Sequence, residues 1–294
     1  MAELAQQRHG KAKVRVGRVW REGERHAFVE WKVSVLISSS CESSFISADN
    51  SAVVATDSIK NTIYVKAKEC SSVLSMEEFA ILLGEHFVKT YPQVTGSEIT
   101  IIEKPWEPYR INGKIHHHGF KLGKGSHFCE IQVSKNKPTV VCSGLEGLSV
   151  LKTTQSGFEG FVRDNYTLLP EVRERILATE VLSVWCYKSK PSCYNKAFET
   201  VKQILLDVFF GPPDAGVYSP SVQNTLYLMG ERVLQRLPEI ESIKLSMPNL
   251  HFIPVNMPKV GVEFNHDVYL PTDEPHGTIE ASLTRKNWSR HSKL

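Results

Sequence analysis

The amino-acid sequence predicts an α+β fold made of two similar halves, each an antiparallel four-stranded sheet with two helices on one face. Three observations lead there. Apolar and polar side chains alternate along several runs, the period of a half-buried strand. Between these runs lie segments whose apolar residues recur every three or four positions, the period of a helix packed on one side. The order strand, strand, helix, helix, strand, strand occurs in residues 1–136 and returns in residues 137–294, a duplication of pattern rather than of letters. A loop or helix near residues 156–177 is an insertion in the second half. One sheet face in each half is left without cover, which favours an oligomer.

Residues 13–22 and 25–37 read as paired strands joined at Glu22-Gly23-Glu24. In the second strand Val29, Trp31, Val33, Val35 and Ile37 alternate with Phe28, Glu30, Lys32, Ser34 and Leu36. A helix follows over residues 58–68. Ser75-Met76-Glu77-Glu78 then forms a capping box for a second helix, in which Phe79, Leu82, Leu83, His86 and Phe87 share a face until Pro92. Residues 97–106 and 119–133 close the first half as strands. In the second half, residues 139–142 and 180–188 are strand-like. The helix over 194–210 carries the stripe Phe198, Val201, Ile204, Leu205, Val208 and Phe209, and Gly211 with Pro212 ends it. A further helix is expected over 221–236, with strands at 241–246 and 278–283.

Composition narrows the function. The chain has 294 residues with 35 Lys and Arg against 32 Asp and Glu, a net charge of +3 spread along its length, so neither a nucleic-acid groove nor a membrane surface is indicated. No apolar run is long enough to span a bilayer. The six cysteines (Cys41, Cys70, Cys129, Cys142, Cys186 and Cys193) contain no CxxC pair, and the N-terminus lacks an apolar signal-peptide core, so reduced thiols inside a cell are expected. Ser292-Lys293-Leu294 at the C-terminus has the form of a peroxisomal address read by an import receptor.

The polar chemistry gathers around residues 49–64, DNSAVVATDSIKNTIY, where an apolar strand is expected to run into a helix start. There Thr56 and Asp57 would sit beside backbone N–H groups that point outward, a site suited to an anion or a carbonyl oxygen; an ordinary capped helix is the plainer reading. Together with His9-Gly10-Lys11, VATDSIKNT, SPSVQNTLY and SMPNLHF, this stretch resembles the urate oxidase (uricase) family, most closely its plant peroxisomal members. The resemblance covers essentially the whole chain, terminal SKL included. It implies two tandem tunnelling-fold (T-fold) halves, a homotetramer assembled into a barrel with active sites at subunit interfaces, and oxidation of urate by dioxygen without metal or organic cofactor.

The resemblance also implies roles for individual residues. Lys11, Thr56 and His251 match a catalytic proton relay. A threonine hydroxyl can both donate and accept, which suits it to pass a proton between an amine and a water. Arg175 matches the arginine that clamps substrate, and its planar fork can give two parallel charge-assisted hydrogen bonds that lysine could not copy. Gln223, preceded by Val222, offers one carbonyl and one amide to a purine dione. Phe158 matches the aromatic that stacks on the ring, and Asn249 the residue that holds dioxygen or water above it; Thr56 and Asp57 complete the substrate set. Each has a plain alternative: Lys11 as a solvated charge, Phe158 and Phe161 as core, Asn249 as a turn residue, and Arg173 or Arg175 paired with Glu171 or Glu174 on a helix surface.

The sequence departs from the family at His9, where many relatives carry tyrosine, and in residues 188–194, a segment shorter than in close relatives. His116-His117-His118 invites a metal, but adjacent side chains diverge and no carboxylate or cysteine pattern supports them, so no metal is expected. The readings weighed against an oxidase are a different purine or pterin enzyme of the same fold and a purine-binding protein without turnover.

Overall fold

The computed structural model describes residues 2–285. The chain divides into two compact units, Met1–Gly144 with Pro191–Asn195, and Leu145–Lys190 with Lys196–Leu294. The tail Ser292-Lys293-Leu294 lies outside the described residues.

In the first unit β1 (His9–Glu22) and β2 (Arg25–Ser39) form a hairpin that turns at Gly23, whose φ of 61° is a conformation glycine adopts freely. A short helix α1 (Glu42–Ile46), then α2 (Thr56–Glu69) and α3 (Met76–Thr90), precede β3 (Val94–Lys104), β4 (Trp106–Ile111), β5 (Lys114–Leu122) and β6 (Ser126–Ser134). The antiparallel order is β1-β2-β3-β6, the expected four strands, while β4 and β5 make a separate ribbon. The run 119–133 is thus two strands rather than one, broken at Gly125, which has φ 74°.

Strand alternation sets the core. Trp31, Val33, Val35 and Ile37 of β2, Ile99 and Ile101 of β3, and Cys129, Ile131 and Val133 of β6 are buried. Above them lie Ile59, Ile63 and Ala67 of α2 and Phe79, Ala80, Leu83 and Phe87 of α3, with Trp31 and Phe79 stacked at 5.0 Å. Leu82 is exposed, so the buried face of α3 is turned by one residue from the expected stripe, toward Ala80 and Gly84. Gly84 explains the turn: a Cβ there would lie 2.8 Å from Val133 and 3.0 Å from Ser97, so this helix face approaches the sheet closely. The capping box is formed, with Glu78 N donating to Ser75 Oγ and Ser75 N to Glu78 Oε2, both at 3.2 Å.

β7 (Lys137–Lys152) carries the chain into the second unit, where β8 (Leu177–Tyr187), α4 (Tyr194–Phe210), α5 (Val222–Arg236), β9 (Ile240–Ser246), β10 (Asn249–Pro254), β11 (Tyr269–Gly277) and β12 (Glu280–Thr284) follow. β8 pairs antiparallel with β9 along residues 182–187 and with β10 at Ala178, and β9 pairs with β12. Trp185, Val201, Leu205, Phe209, Leu226 and Leu245 are among the residues that fill the core between helices and sheet. Gly211, with φ 70° and its N–H on Asp207 O at 2.9 Å, ends α4 as expected.

Residues 156–177 contain no helix. They are a loop held by a bridge between Phe158 and Val172, so the expectation of a helix there is corrected; the carboxylates of Glu171 and Glu174 accept backbone N–H groups of Gly160 and Gln155 instead of lying on a helix surface. The expected strand before Thr56 is instead a turn at Ser51 and Ala52, with Val53 N on Asn50 O at 3.0 Å, followed by three residues outside any sheet. Cys41, Cys70, Cys129 and Cys193 are free; Cys142 and Cys186 are not among the free thiols, a departure from six reduced cysteines. No helix among the described residues is long and apolar enough to cross a membrane.

One buried polar contact fixes the start of α3. Glu77, with no exposed surface, accepts hydrogen bonds from His127 Nε2 at 2.9 Å and Ser143 Oγ at 2.5 Å. Burial pushes its carboxyl up, but His127 and Ser143 outweigh this and hold it below the ordinary carboxylate value. A depressed value stabilises the fold above the ordinary carboxylate range, and this contribution is lost as pH falls through the folded value. Glu77→Ala should therefore cost roughly 3–5 kcal/mol in chemical denaturation at neutral pH, with the difference from wild type shrinking in acid; equal stability at neutral pH would contradict this role.

Candidate active site

The first unit presents Lys11, Thr56 and Asp57. Lys11 lies on β1 opposite Val35, just before a bulge that inserts an extra residue between Lys11 and Val14. Lys13 takes φ 59° there and donates its N–H to Ser34 Oγ at 3.0 Å. Gly10 brings this strand against β2 so closely that any Cβ would collide with the Val35 carbonyl oxygen. His9 Nε2 contacts Val54 O at 3.0 Å and ties the strand to the segment leading into α2.

Thr56 is the first residue of α2, and the cap position is Ala55, which offers no side-chain hydrogen bond. The first intrahelical bond is Ile59 N to Ala55 O, so the amides of Thr56, Asp57 and Ser58 have no partner within the helix. The expectation of outward-pointing N–H groups is met, and the plainer expectation of side-chain capping is not. Asp57 accepts from Lys60 Nζ at 2.6 Å and Asn61 Nδ2 at 2.9 Å. Lys60 chiefly, then Asn61 and the charge of Lys11, hold the exposed Asp57 carboxyl below its usual range.

The second unit presents the other residues. Phe158 exchanges backbone hydrogen bonds with Val172 at 2.7 and 3.1 Å and stacks on Phe161, with centroids 4.8 Å apart and planes at 9°. The Arg175 guanidinium lies 5.6 Å from the Phe158 centroid. Its main-chain N–H donates to Ser156 O at 2.9 Å and its Nε to Ser156 Oγ at 3.4 Å. Arg175 has no carboxylate partner among the described residues, and burial pushes its guanidinium below the usual arginine value. Arg173, by contrast, is an exposed side chain paired with Glu159 at 2.9 Å. The two arginines that looked alike in sequence are thus distinguished: one charge is neutralised at the surface and the other is held, unbalanced, over an aromatic ring.

Val222 and Gln223 begin α5 behind the cap Ser221, whose Oγ accepts Asn224 N at 3.1 Å. Val222 is buried and Gln223 exposed. Asn249 and His251 stand two apart on β10 and both are half-buried; their partners on β11 are Gly277 and Thr272, a register irregularity between them, and the intervening Leu250 pairs with Ala178 of β8. Met247 and Pro248 separate β9 from β10, with Met247 N donating to Ile279 O at 2.8 Å. The expected residues are thus divided between the units, Lys11, Thr56 and Asp57 in the first and Phe158, Arg175, Val222, Gln223, Asn249 and His251 in the second, and within the second Arg175 and Phe158 are in contact.

Two supporting residues lie beside the expected set. Ser156 holds Arg175 by side chain and main chain. Gly157 leaves room that a Cβ would fill, against the Tyr218 hydroxyl and 2.9 Å from Val172 O. Both stand in the quoted run Gln155-Ser156-Gly157-Phe158, so the signal was the glycine before the aromatic. His116, His117 and His118 lie along β5; His118 N donates to His116 Nδ1 at 3.3 Å and His117 Nδ1 lies 3.5 Å from Glu24.

Comparison with known proteins agrees with the resemblance. A family profile described as Uricase matches residues 7–132 and 141–280. A uricase of Arabidopsis thaliana is 58% identical over 294 residues, covering 95% of each chain. Uricase-2 of Phaseolus vulgaris is 56% identical, covering 97% of this chain and 96% of that one. The crystal structure of uricase from Arthrobacter globiformis superposes with a TM-score of 0.91 at 35% identity, covering 100% of this chain and 98% of that one. The antiparallel sheets with helices are those of the tunnelling fold, and the chain belongs to the uricase family.

Proposed function

We propose that this protein oxidises urate with dioxygen and water to 5-hydroxyisourate and hydrogen peroxide, in a homotetramer whose sites join the two kinds of half-site from neighbouring subunits. The observation that carries this reading is Arg175: a half-buried guanidinium without a counter-ion, beside an aromatic face, is suited to a flat anion. Stacking on Phe158 supplies dispersion and area burial of order 1–3 kcal/mol. Charge-assisted hydrogen bonds from Arg175 contribute about 1.5–3 kcal/mol each when shielded from water. Gln223 offers donor and acceptor to the remaining edge, and Val222 an apolar wall. Thr56 and Asp57 bring the open amides of α2, a favourable surround for negative charge.

The chemistry then follows from charge. Urate must lose a proton to become a better electron donor, and Lys11 with Thr56 and His251 is the set that takes and passes it. Two electrons leave the ring for dioxygen, which leaves as hydrogen peroxide after gaining two protons. Water adds its oxygen to the ring as the hydroxyl of 5-hydroxyisourate. Asn249, two residues from His251 on β10, can orient either small molecule by its amide. Activity requires assembly in this reading, and the tail Ser292-Lys293-Leu294 would direct the enzyme to the peroxisome, where its peroxide is destroyed; retention of a fusion protein in the cytosol with the tail intact would refute that address.

The direct test is urate disappearance with peroxide formation in chelator-treated buffer. Turnover is expected; none would remove the oxidase reading, and activity restored only by added metal would turn attention to His116, His117 and His118. Lys11→Met should lower kcat far more than urate affinity, because a proton relay acts mainly in the transition state. Arg175→Lys should chiefly raise KM, with Arg173→Lys near wild type. A wild-type rate in the first variant or wild-type affinity in the second would overturn that residue's role.

A further inference from the structure

We infer that Lys152, through Ser219, is a positioning residue that holds the substrate-binding segments of the second unit in register. This rests on the proposed urate site but concerns a residue outside it. Lys152 ends β7 and is half-buried, with its amine committed to three acceptors: Val217 O at 2.7 Å, Ser219 Oγ at 2.8 Å and Phe209 O at 3.3 Å. The amine also lies 5.4 Å from the Phe209 ring centroid. No carboxylate pairs with it among the described residues.

The three acceptors tie the end of α4 to the loop that leads into α5. Ser219 then distributes the constraint. Its N–H donates to Gln155 O and its carbonyl accepts Gly157 N, at 2.9 and 3.0 Å, so it pairs with the strip that carries Phe158. Its hydroxyl accepts from Thr225 Oγ1 at 2.8 Å, which links it to the first turn of α5 and so to Gln223. Ser156, its bridge partner, holds Arg175 by two hydrogen bonds. A continuous chain of hydrogen bonds thus runs from one ammonium to the three segments bearing Phe158, Arg175 and Gln223.

Burial without a compensating carboxylate is costly for a cation, and it pushes the Lys152 amine down to about 8. A fold with no need of three donors at this point would be served better by an apolar side chain. The ammonium supplies three hydrogens to three acceptors; the neutral amine has only two and would force Ser219 to reverse its bond.

Lys152→Met keeps length and packing while removing every donor, and Ser219→Ala cuts only the hydroxyl link and leaves the backbone bonds. Urate affinity measured by equilibrium dialysis without oxygen separates binding from turnover. Lys152→Met is expected to weaken urate binding roughly tenfold or more and to raise KM in parallel, with kcat changed severalfold less. Lys152→Arg should recover part of the loss by restoring donors, and Ser219→Ala should shift KM in the same direction by a smaller factor. Wild-type affinity in a folded Lys152→Met protein, or a loss confined to kcat, would overturn the inference. Should that variant fail to fold, an unchanged affinity in Ser219→Ala overturns it equally. Wild-type protein that binds urate without oxidising it would count against the oxidase reading and leave the Lys152 comparison decisive.

Discussion

The Arg175 guanidinium is held half out of water with no carboxylate among the described residues to neutralise it. Ion-pairing to a nearby glutamate would be the cheap solution, and the surrounding loop is rich in them. The structure assigns those glutamates elsewhere. Glu159 takes Arg173, while Glu171 and Glu174 accept backbone amides. What remains is a cation without a carboxylate partner among the described residues, set beside the Phe158 ring, an arrangement that suits the flat anion of the proposed reaction.

The remaining chemistry is arranged by backbone rather than by side-chain pairing. Gly10 permits the close approach of β1 and β2 at Lys11, and the bulge that follows re-aims the strand. Ala55 leaves the start of α2 uncapped, so its amides stay available near Thr56 and Asp57. In the second unit the strand break at Met247-Pro248 separates β9 from the short β10, which carries Asn249 and His251. Lys152, Ser219 and Ser156 then bind the segments carrying the aromatic and the guanidinium into one hydrogen-bonded frame.

Much of this was legible in the sequence where local physics decides. The capping box at Ser75 and Glu78, the alternation in β2 and the stop at Gly211-Pro212 depend on near neighbours, and all three are formed. The segment Glu171 to Leu177 misled because its charged and apolar residues repeat like a helix, whereas the Phe158–Val172 bridge, a long-range pairing, makes it a loop. β10 and β11 escaped notice because their residues are short runs interrupted by proline, with pairing partners far along the chain. The family motifs named the candidate site residues; geometry within each unit distinguished Arg175 from Arg173, and only the coordinates revealed Lys152, a lysine that composition treats as one more surface charge.

In the proposed assembly a complete site is built from two chains, one giving Lys11 and Thr56, the other Arg175, Gln223 and His251. Co-expression of differently tagged Lys11→Met and Arg175→Gln chains, followed by purification of tetramers bearing both tags, tests it most directly. With equal and random assembly and single-tag tetramers removed, about two-sevenths of the sites receive both intact halves, and the mixed protein should regain about that fraction of wild-type urate turnover although each parent is inactive. Activity no higher than that of the parents would place both halves within one chain and contradict the account.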